Sequence, residues 1–347
     1  MNVNHYFSKR TVCFFSTVPK ERLKFENYSI QDIRILEELG FTVIIASKFS
    51  EIPFGCDLYF SWWASGSIFP LIKAFLSARP IVVIAGGNES MIYMDSIFRI
   101  PAGYVGNPLH KKLATRLVLR FATIVLPVSN FMINSIRKLG VSTFSVVHNC
   151  VDTNLYVPRV ENRVYITSIF RTDRDVVRIK RGEVFIYAIN EVVRSYPSQK
   201  FMIIGRAGND YERLNKLIEN LALQNNIVFV EEVENSIIIS LLHQSSLYVQ
   251  ISDTETFGVS IAEAMSCEIP VLVSKSGAIP EIVGPFGLYV DHNSPASVAA
   301  GIIKFLKMDE SETRRIGKAL RARIIENFSF TNRKKKIFQI LQKILNV

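Results

Sequence analysis

The stretch Ser252-Asp-Thr-Glu255-Thr256-Phe257-Gly258-Val259-Ser-Ile-Ala-Glu263-Ala-Met-Ser-Cys-Glu-Ile-Pro270-Val-Leu-Val-Ser-Lys-Ser-Gly277-Ala-Ile-Pro280-Glu281 decides the reading. Leu247 to Ile251 just ahead of it and Val271 to Val273 within it are short apolar runs of strand type. Ile261, Ala264 and Met265, spaced i, i+3, i+4, predict a helix over about 259–267 that packs on a sheet. The result is one βαβ crossover, with Glu263 on the side of the helix away from the sheet.

Glu255 in the loop and Glu263 in the helix bracket Phe257, Gly258 and Val259, whose backbone N–H groups open that helix. A helix N-terminus attracts anions because its first amides are unpaired and the peptide dipoles add there. Gly258 lets a ligand approach the backbone. Two readings stand side by side. In one, the amides take a diphosphate while the carboxylates accept hydrogen bonds from sugar hydroxyls. In the other, one acid sits in a surface loop and the other on a wet helix face.

The rest of the chain repeats the alternation. Thr11–Ser16, Thr42–Ser47, Leu58–Trp62, Ile81–Ala85, Thr123–Val128 and Phe144–His148 are apolar runs of parallel-strand length, with helical stretches such as Ile30–Leu39 and Leu113–Phe121 between them. Beyond Pro158 the pattern restarts with Val164–Ile169, Phe201–Ile204, Ile227–Val230 and, last, Gly287–Val290. The fold class expected is α/β, two doubly wound parallel-sheet domains with ligands outside the strand carboxyl ends. The domains expected are 1–158, 159–327 and a C-terminal helix, 328–347. Its stripe Ile337, Ile340, Leu341, Ile344 and Leu345 suits packing on a domain or lying on a membrane surface.

The order Glu255-x7-Glu263 with Phe257-Gly258, then Glu-Ala-Met, Ile-Pro-Val, Gly-Ala-Ile-Pro-Glu281 and Gly287-Leu-Tyr-Val, resembles the retaining, nucleotide-sugar-dependent glycosyltransferases of the GT-B fold, group 1 or family 4 type. His148-Asn-Cys150-Val-Asp152 resembles the segment that closes the family's first domain, with Cys150 where Gly is usual. The resemblance implies a GT-B architecture of two Rossmann-like domains facing a central cleft. It implies a C-terminal helix that crosses back onto the first domain, retention at the anomeric carbon by front-face displacement, and a leaving diphosphate stabilised by protein cations in place of a metal.

Five cations, Arg171, Arg174, Arg178, Lys180 and Arg181, follow the first strand of the second half. They make a diphosphate clamp or a solvated basic loop. The resemblance favours the clamp and singles out Arg171, Lys180 and Arg181 as catalytic beside Glu255. It assigns the donor to Glu263, through the ribose hydroxyls, and to Thr256, Phe257, Gly258 and Val259. Gly205 is a turn at the mouth of the nucleotide pocket. Glu231 and Glu232 lie at the end of a strand where the resemblance places binding of the base edge, or are only a solvated acid pair in a loop. In the first half, Gly86, Gly87, Asn88 and Glu89 after a strand are either acceptor-side contacts or only a turn, and Asn88 stands where the family usually has an acid.

At 347 residues, 48% hydrophobic and 21% charged, the chain suits two globular domains and excludes disorder. Its four scattered cysteines lack metal-ligand spacing and suit free thiols in a reducing compartment. Met1–Arg10 has no secretory pattern, and no apolar run reaches spanning length. The location expected is cytoplasmic, peripheral on the inner membrane face if the membrane is bound. A net charge of +10 calls for an anionic partner. Between Met91 and Gly140 lie Arg99, Lys111, Lys112, Arg116, Arg120, Arg137 and Lys138 against Asp95 alone. His110–Arg120 reads as a basic amphipathic helix with Leu113, Leu117 and Val118 on its apolar side, suited to an anionic leaflet or to a core with a solvated basic face. No nucleic-acid motif is present.

The function expected is transfer of a sugar from a nucleoside diphosphate sugar to a glycan or lipid-linked acceptor, with no cofactor and no metal. A nucleotide-sugar epimerase and a non-catalytic sugar-nucleotide-binding subunit are the alternatives.

Overall fold

Continuous runs of β-branched, aromatic and aliphatic residues set the strands, because a parallel strand is covered on both faces and has no polar side to show. Leu58–Trp62 and Ile81–Ala85 are buried at every position. The computed structural model describes residues 6–97, 101–159 and 162–346, so Met1–His5 and Arg99 lie outside the described residues. It divides into unit 1, Met1–Cys150 with Phe330–Val347, and unit 2, Val151–Ser329.

Unit 1 contains β1 (Thr11–Phe15), β2 (Thr42–Ala46), β3 (Leu58–Trp62), β4 (Ile81–Ala85), β5 (Ile92–Met94), β6 (Pro101–Gly103) and β7 (Ile124–Pro127). Its parallel sheet has the order β2-β1-β3-β4-β7, and β5 and β6 form a separate antiparallel ribbon. That ribbon is absent from the sequence reading because three-residue strands carry no period to detect.

Phe144–His148, expected as a strand, is extended chain with one bridge to Val125. Val125 exchanges backbone bonds with Thr143 and Ser145, and Val147 N–H reaches Pro127 O at 3.0 Å. The rung between these bonds would need an N–H from Pro127, which has none, so the ladder is interrupted.

The helix Phe330–Ile344 belongs to unit 1, with Ile337 and Leu341 buried. Buried Arg333 pairs with buried Asp32 through both nitrogens, Nε to Oδ1 at 2.6 Å and Nη2 to Oδ2 at 2.8 Å. It also donates to the carbonyls of Val147 and His148. Trp62 Nε1 donates to Asp32 Oδ2 at 2.9 Å, which ties β3 into the same knot.

Unit 2 contains β8 (Tyr165–Ile169), β9 (Lys200–Ile204), β10 (Ile227–Val230), β11 (Ser245–Gln250), β12 (Val271–Ser274) and β13 (Leu288–Val290), in the order β10-β9-β8-β11-β12-β13, all parallel. Helices Gly182–Ser195 and Pro295–Leu306 pack together, with Phe185, Ile189, Phe201 and Ile302 in the core.

Unit 2 begins at Val151, ahead of Pro158, because the intervening residues are anchored on it. Val151 pairs with Ser329 and Tyr156 is buried, its carbonyl accepting from Ser266 Oγ at 2.7 Å and Arg321 at 2.8 Å. The four cysteines are buried free thiols. Among the described residues, no helix is long and apolar enough to cross a membrane.

Candidate active site

Strand order in an open parallel sheet reverses at one point, and the loops leaving the two strands there diverge to opposite faces and open a crevice. In unit 2 that point lies between β8 and β11. The loop after β8 leads into Arg171 to Lys180, and the loop after β11 carries Glu255.

Glu255 is held by three donors on one oxygen. Lys180 Nζ, Gln250 Nε2 at 2.7 Å and Ser252 Oγ at 3.0 Å all reach Oε1. Tyr248 OH and Ser260 Oγ both donate to Gln250 Oε1, which obliges the amide nitrogen to face Glu255. Burial pushes the Tyr248 phenol up, and the nearby carboxylates add to the rise, so it stays a donor. Among the described residues Oε2 of Glu255 has no partner. Beside it, Thr254 Oγ1 is buried and unpaired.

The loop backbone is fixed from β12. Ser274 Oγ donates to Ser252 O at 2.6 Å and Ala278 N–H to Glu255 O at 2.9 Å. Gly277 sits at φ +61°, and a Cβ there would lie 2.5 Å from Glu255 N, so the turn that clasps Glu255 requires glycine.

The five cations do not act alike. Residues 174–180 form a short helix, and Arg181 in the left-handed region turns the chain into the helix Gly182–Ser195. Only Lys180 reaches Glu255. Arg174 faces Asp210 and Arg178 faces Asp175. Arg171 is half exposed beside Asp173.

The expectation that Arg181 joins an open diphosphate clamp meets a different geometry. Its side chain is 2% exposed, with Nη2 2.9 Å from Asp253 Oδ1 and Nε 3.0 Å from Asn293 Oδ1. His292 Nε2 lies 3.1 Å from the same Asp253 oxygen. Turned inward by its backbone, Arg181 is a strut between the loops after β11 and β13.

The loops after β8 and β9 are zipped together. Thr172 N–H donates to Arg206 O at 3.0 Å and Gly208 N–H to Thr172 Oγ1 at 2.8 Å. A Cβ on Gly205 would lie 2.2 Å from Phe170 O, so Gly205 lets β9 run directly against the loop bearing Arg171. Arg206 adds a cation, 3.3 Å from Asp173. Glu231 is exposed beyond edge strand β10, two strands from β8.

Helix Val259–Ser266 starts at Gly258, φ +92°, with no side chain capping it, so its first amides are left for another acceptor. Phe257 is buried edge-on to Phe328 at 5.6 Å, and Thr256 and Val259 are half-buried. Glu263 is not on a wet face. It is 5% exposed, because the helix is covered on its outer side by the helix Glu310–Phe328. Burial, with Glu263 adding, pushes the Cys267 thiol up to about 12.

In unit 1, Gly86 and Gly87 follow β4. A Cβ on Gly86 would lie 2.4 Å from the Trp62 ring, and one on Gly87 2.5 Å from Trp63. The glycines therefore seat two indoles. Asn88 is exposed. Glu89 turns back to accept from Ala64 N–H at 3.1 Å, and burial raises its carboxyl above the usual range against the pull of that bond and of Lys111. Strand order in unit 1 reverses between β1 and β3, one strand away from this loop. There, a Cβ on Gly66 would lie 2.2 Å from Thr17 Cγ2, so the loops after those two strands touch.

Gln250 and Ser252 escape the sequence reading, although a glutamine closing the run Leu247-Tyr-Val was a visible signal. Asp253, His292 and Asn293 gave none.

Residues 174–323 match the family described as Glycosyl transferases group 1. The chain is 25% identical over 224 residues to N-acetyl-alpha-D-glucosaminyl L-malate synthase of Bacillus anthracis, covering 61% of this chain and 58% of that one. It is 27% identical over 141 residues to D-inositol 3-phosphate glycosyltransferase of Corynebacterium jeikeium, covering 38% and 34%. The chain thus spans little more than half, or a third, of these relatives' length. Among solved structures, Anabaena HepE in complex with UDP and glucose superposes with a TM-score of 0.75 at 19% identity, covering 96% of this chain and 100% of that one.

Proposed function

We infer, from a chain that carries a group 1 glycosyl transferase domain on a GT-B fold, that it moves a sugar from a nucleoside diphosphate donor to a glycan or lipid-linked acceptor with retention at the anomeric carbon. The observation that carries this reading is Glu255, locked by three donors on Oε1 with Oε2 left for a ligand, at the strand reversal of unit 2.

The donor lies across the carboxyl ends of β8 and β11. Its diphosphate meets Lys180, Arg171 and the first amides of the helix that Gly258 opens, all pre-aligned where negative charge grows on the leaving group. Glu255 Oε2 and Thr254 Oγ1 take sugar hydroxyls, and Glu263 takes the ribose. The bond from the anomeric carbon to the diphosphate oxygen breaks as the acceptor oxygen bonds on the same face, and the acceptor's proton passes to the departing phosphate. Protein cations meet the diphosphate charge without a metal. Four buried free thiols suit a reducing, cytoplasmic setting.

Calorimetric titration with UDP, GDP and their glucose, N-acetylglucosamine and mannose derivatives tests the donor class. One nucleotide series should bind, its affinity dropping in Lys180→Ala. No binding by any of them would remove the donor reading.

A further inference from the structure

Helices Ile68–Leu76 and Leu109–Phe121 of unit 1 pack side by side. They cross from β3 to β4 and from β4 to β7 in the same direction along the sheet, so right-handed connections put both on one face of it. Their inward sides are Pro70 and Ala74 on the first, and Thr115, Val118 and Leu119 on the second.

The outward sides are apolar as well. On the longer helix Leu109, Leu113, Leu117 and Phe121 recur every fourth residue as one exposed ridge, Leu109 at 71% and Phe121 at 60%. On the shorter one Phe69, Ile72, Phe75 and Leu76 are exposed, Phe75 at 83%. The sequence pattern had grouped Leu113 and Leu117 with Val118. The structure turns Val118 into the core and leaves the two leucines outside, because this helix has two apolar sides and Val118 and Leu119 fill the inner one.

Cations flank the ridge, with Glu89 acting on one of them, Lys111. Lys111, Arg116 and Arg120 are exposed and Lys73 and Lys112 half-buried, and none of the five is in an ion pair among the described residues. From residue 58 to 151 the only acids are Asp95, which is buried, and Glu89, which is turned inward.

We propose that this two-helix face of unit 1 docks on an anionic lipid bilayer. Phe75, Leu76 and the leucine ridge enter the boundary between headgroups and acyl chains, and Lys111, Arg116 and Arg120 meet lipid phosphates. Aromatic and leucine side chains flanked by long basic ones are what an interfacial helix requires, since Lys and Arg keep their charge in the headgroups while their stems follow the apolar surface. A second copy fits poorly, because a two-fold contact through this face would set cations against cations. The inference stands on unit 1 alone and does not depend on the donor reading of unit 2.

Flotation with vesicles of phosphatidylcholine, alone or with about one third phosphatidylglycerol, decides it. The protein should float with the anionic vesicles at low salt, weakly with the neutral ones, and less as salt rises. The double variants F75E/L113E and R116E/R120E, all at exposed positions, should each lose at least about tenfold in binding while keeping the wild-type circular dichroism and melting temperature. Absence of flotation at low salt, or equal flotation of both variants, would overturn the proposal. A dimer broken by F75E/L113E would overturn it in favour of a second copy. Capture by polyglutamate without flotation would overturn it in favour of an acidic protein.

Discussion

Lys180 donates to Oε1 of Glu255 across 75 positions of the chain, joining the segment after β8 to the loop after β11. The pair is only partly buried, the side chains 20% and 14% exposed, so it is open to a ligand that competes for the ammonium. In the proposed reaction a diphosphate arriving there would take Lys180 while Gln250 and Ser252 keep Glu255 in place.

Lys180→Met should therefore lower kcat by about 10²- to 10³-fold, the usual loss when one donor to a developing oxyanion is removed. Because Gln250 and Ser252 still donate to Glu255 Oε1 in the variant, urea unfolding should change by less than the roughly 3–5 kcal/mol lost when a buried charge is left uncompensated. Steady-state kinetics and denaturation on the same preparation check both. A large loss of stability with unchanged kcat would make Lys180 a purely structural residue.

Arg181→Ala should behave in the opposite way. Its guanidinium pairs with Asp253 in the interior, and removing it takes the fixed cation from a buried carboxylate that keeps His292 beside it, at a cost of about 3 kcal/mol. Chemical denaturation measures this loss. A variant as stable as wild type but unable to bind nucleotide would return Arg181 to the phosphate clamp.

Glu89 gives a pH signature. Burial raises its carboxyl in the folded state, so the folded protein binds the extra proton. The associated stability is fully present below the unfolded value of about 4.3 and is lost as pH rises through the raised one. Glu89→Gln keeps an acceptor for Ala64 N–H without the charge. It should match wild type below about pH 4 and exceed it near neutrality. Melting curves across pH compare the two, and a variant less stable than wild type at pH 7 would contradict this.

Arg333→Ala should loosen the terminal helix from unit 1. The change leaves Asp32 buried without its bidentate partner and the carbonyls of Val147 and His148 without a donor, worth about 3–5 kcal/mol. Limited proteolysis should then release a C-terminal fragment cut near residue 330, and a wild-type digestion pattern would count against it.

What the sequence made legible follows from what its patterns encode. Eleven of the twelve expected strands appear as strands, because buried parallel strands are written as unbroken apolar runs. Phe144–His148 fell short for a reason outside its own pattern, the missing N–H of Pro127 on the neighbouring strand. The local geometry is legible where one segment carries it, as in the loop at Glu255 and the helix start at Gly258. It was not legible where residues from distant segments meet. Nothing in the tract 171–182 says that Lys180 faces the crevice while its neighbour Arg181, with φ +54°, is swung into the interior. Likewise, spacing marks Leu109, Leu113, Leu117 and Phe121 as apolar but cannot say which of a helix's two apolar sides meets the core.

In the proposed reaction Glu255 grips the sugar of an activated donor. Once titration has identified the nucleotide that binds, its diphosphate and its sugar conjugate can be titrated into wild type and Glu255→Ala, and donor turnover measured in both. Both proteins should bind the free diphosphate alike, while the variant should lose the added affinity for the sugar conjugate and most of its turnover. A Glu255→Ala protein that binds the conjugate and turns over as wild type does would contradict it.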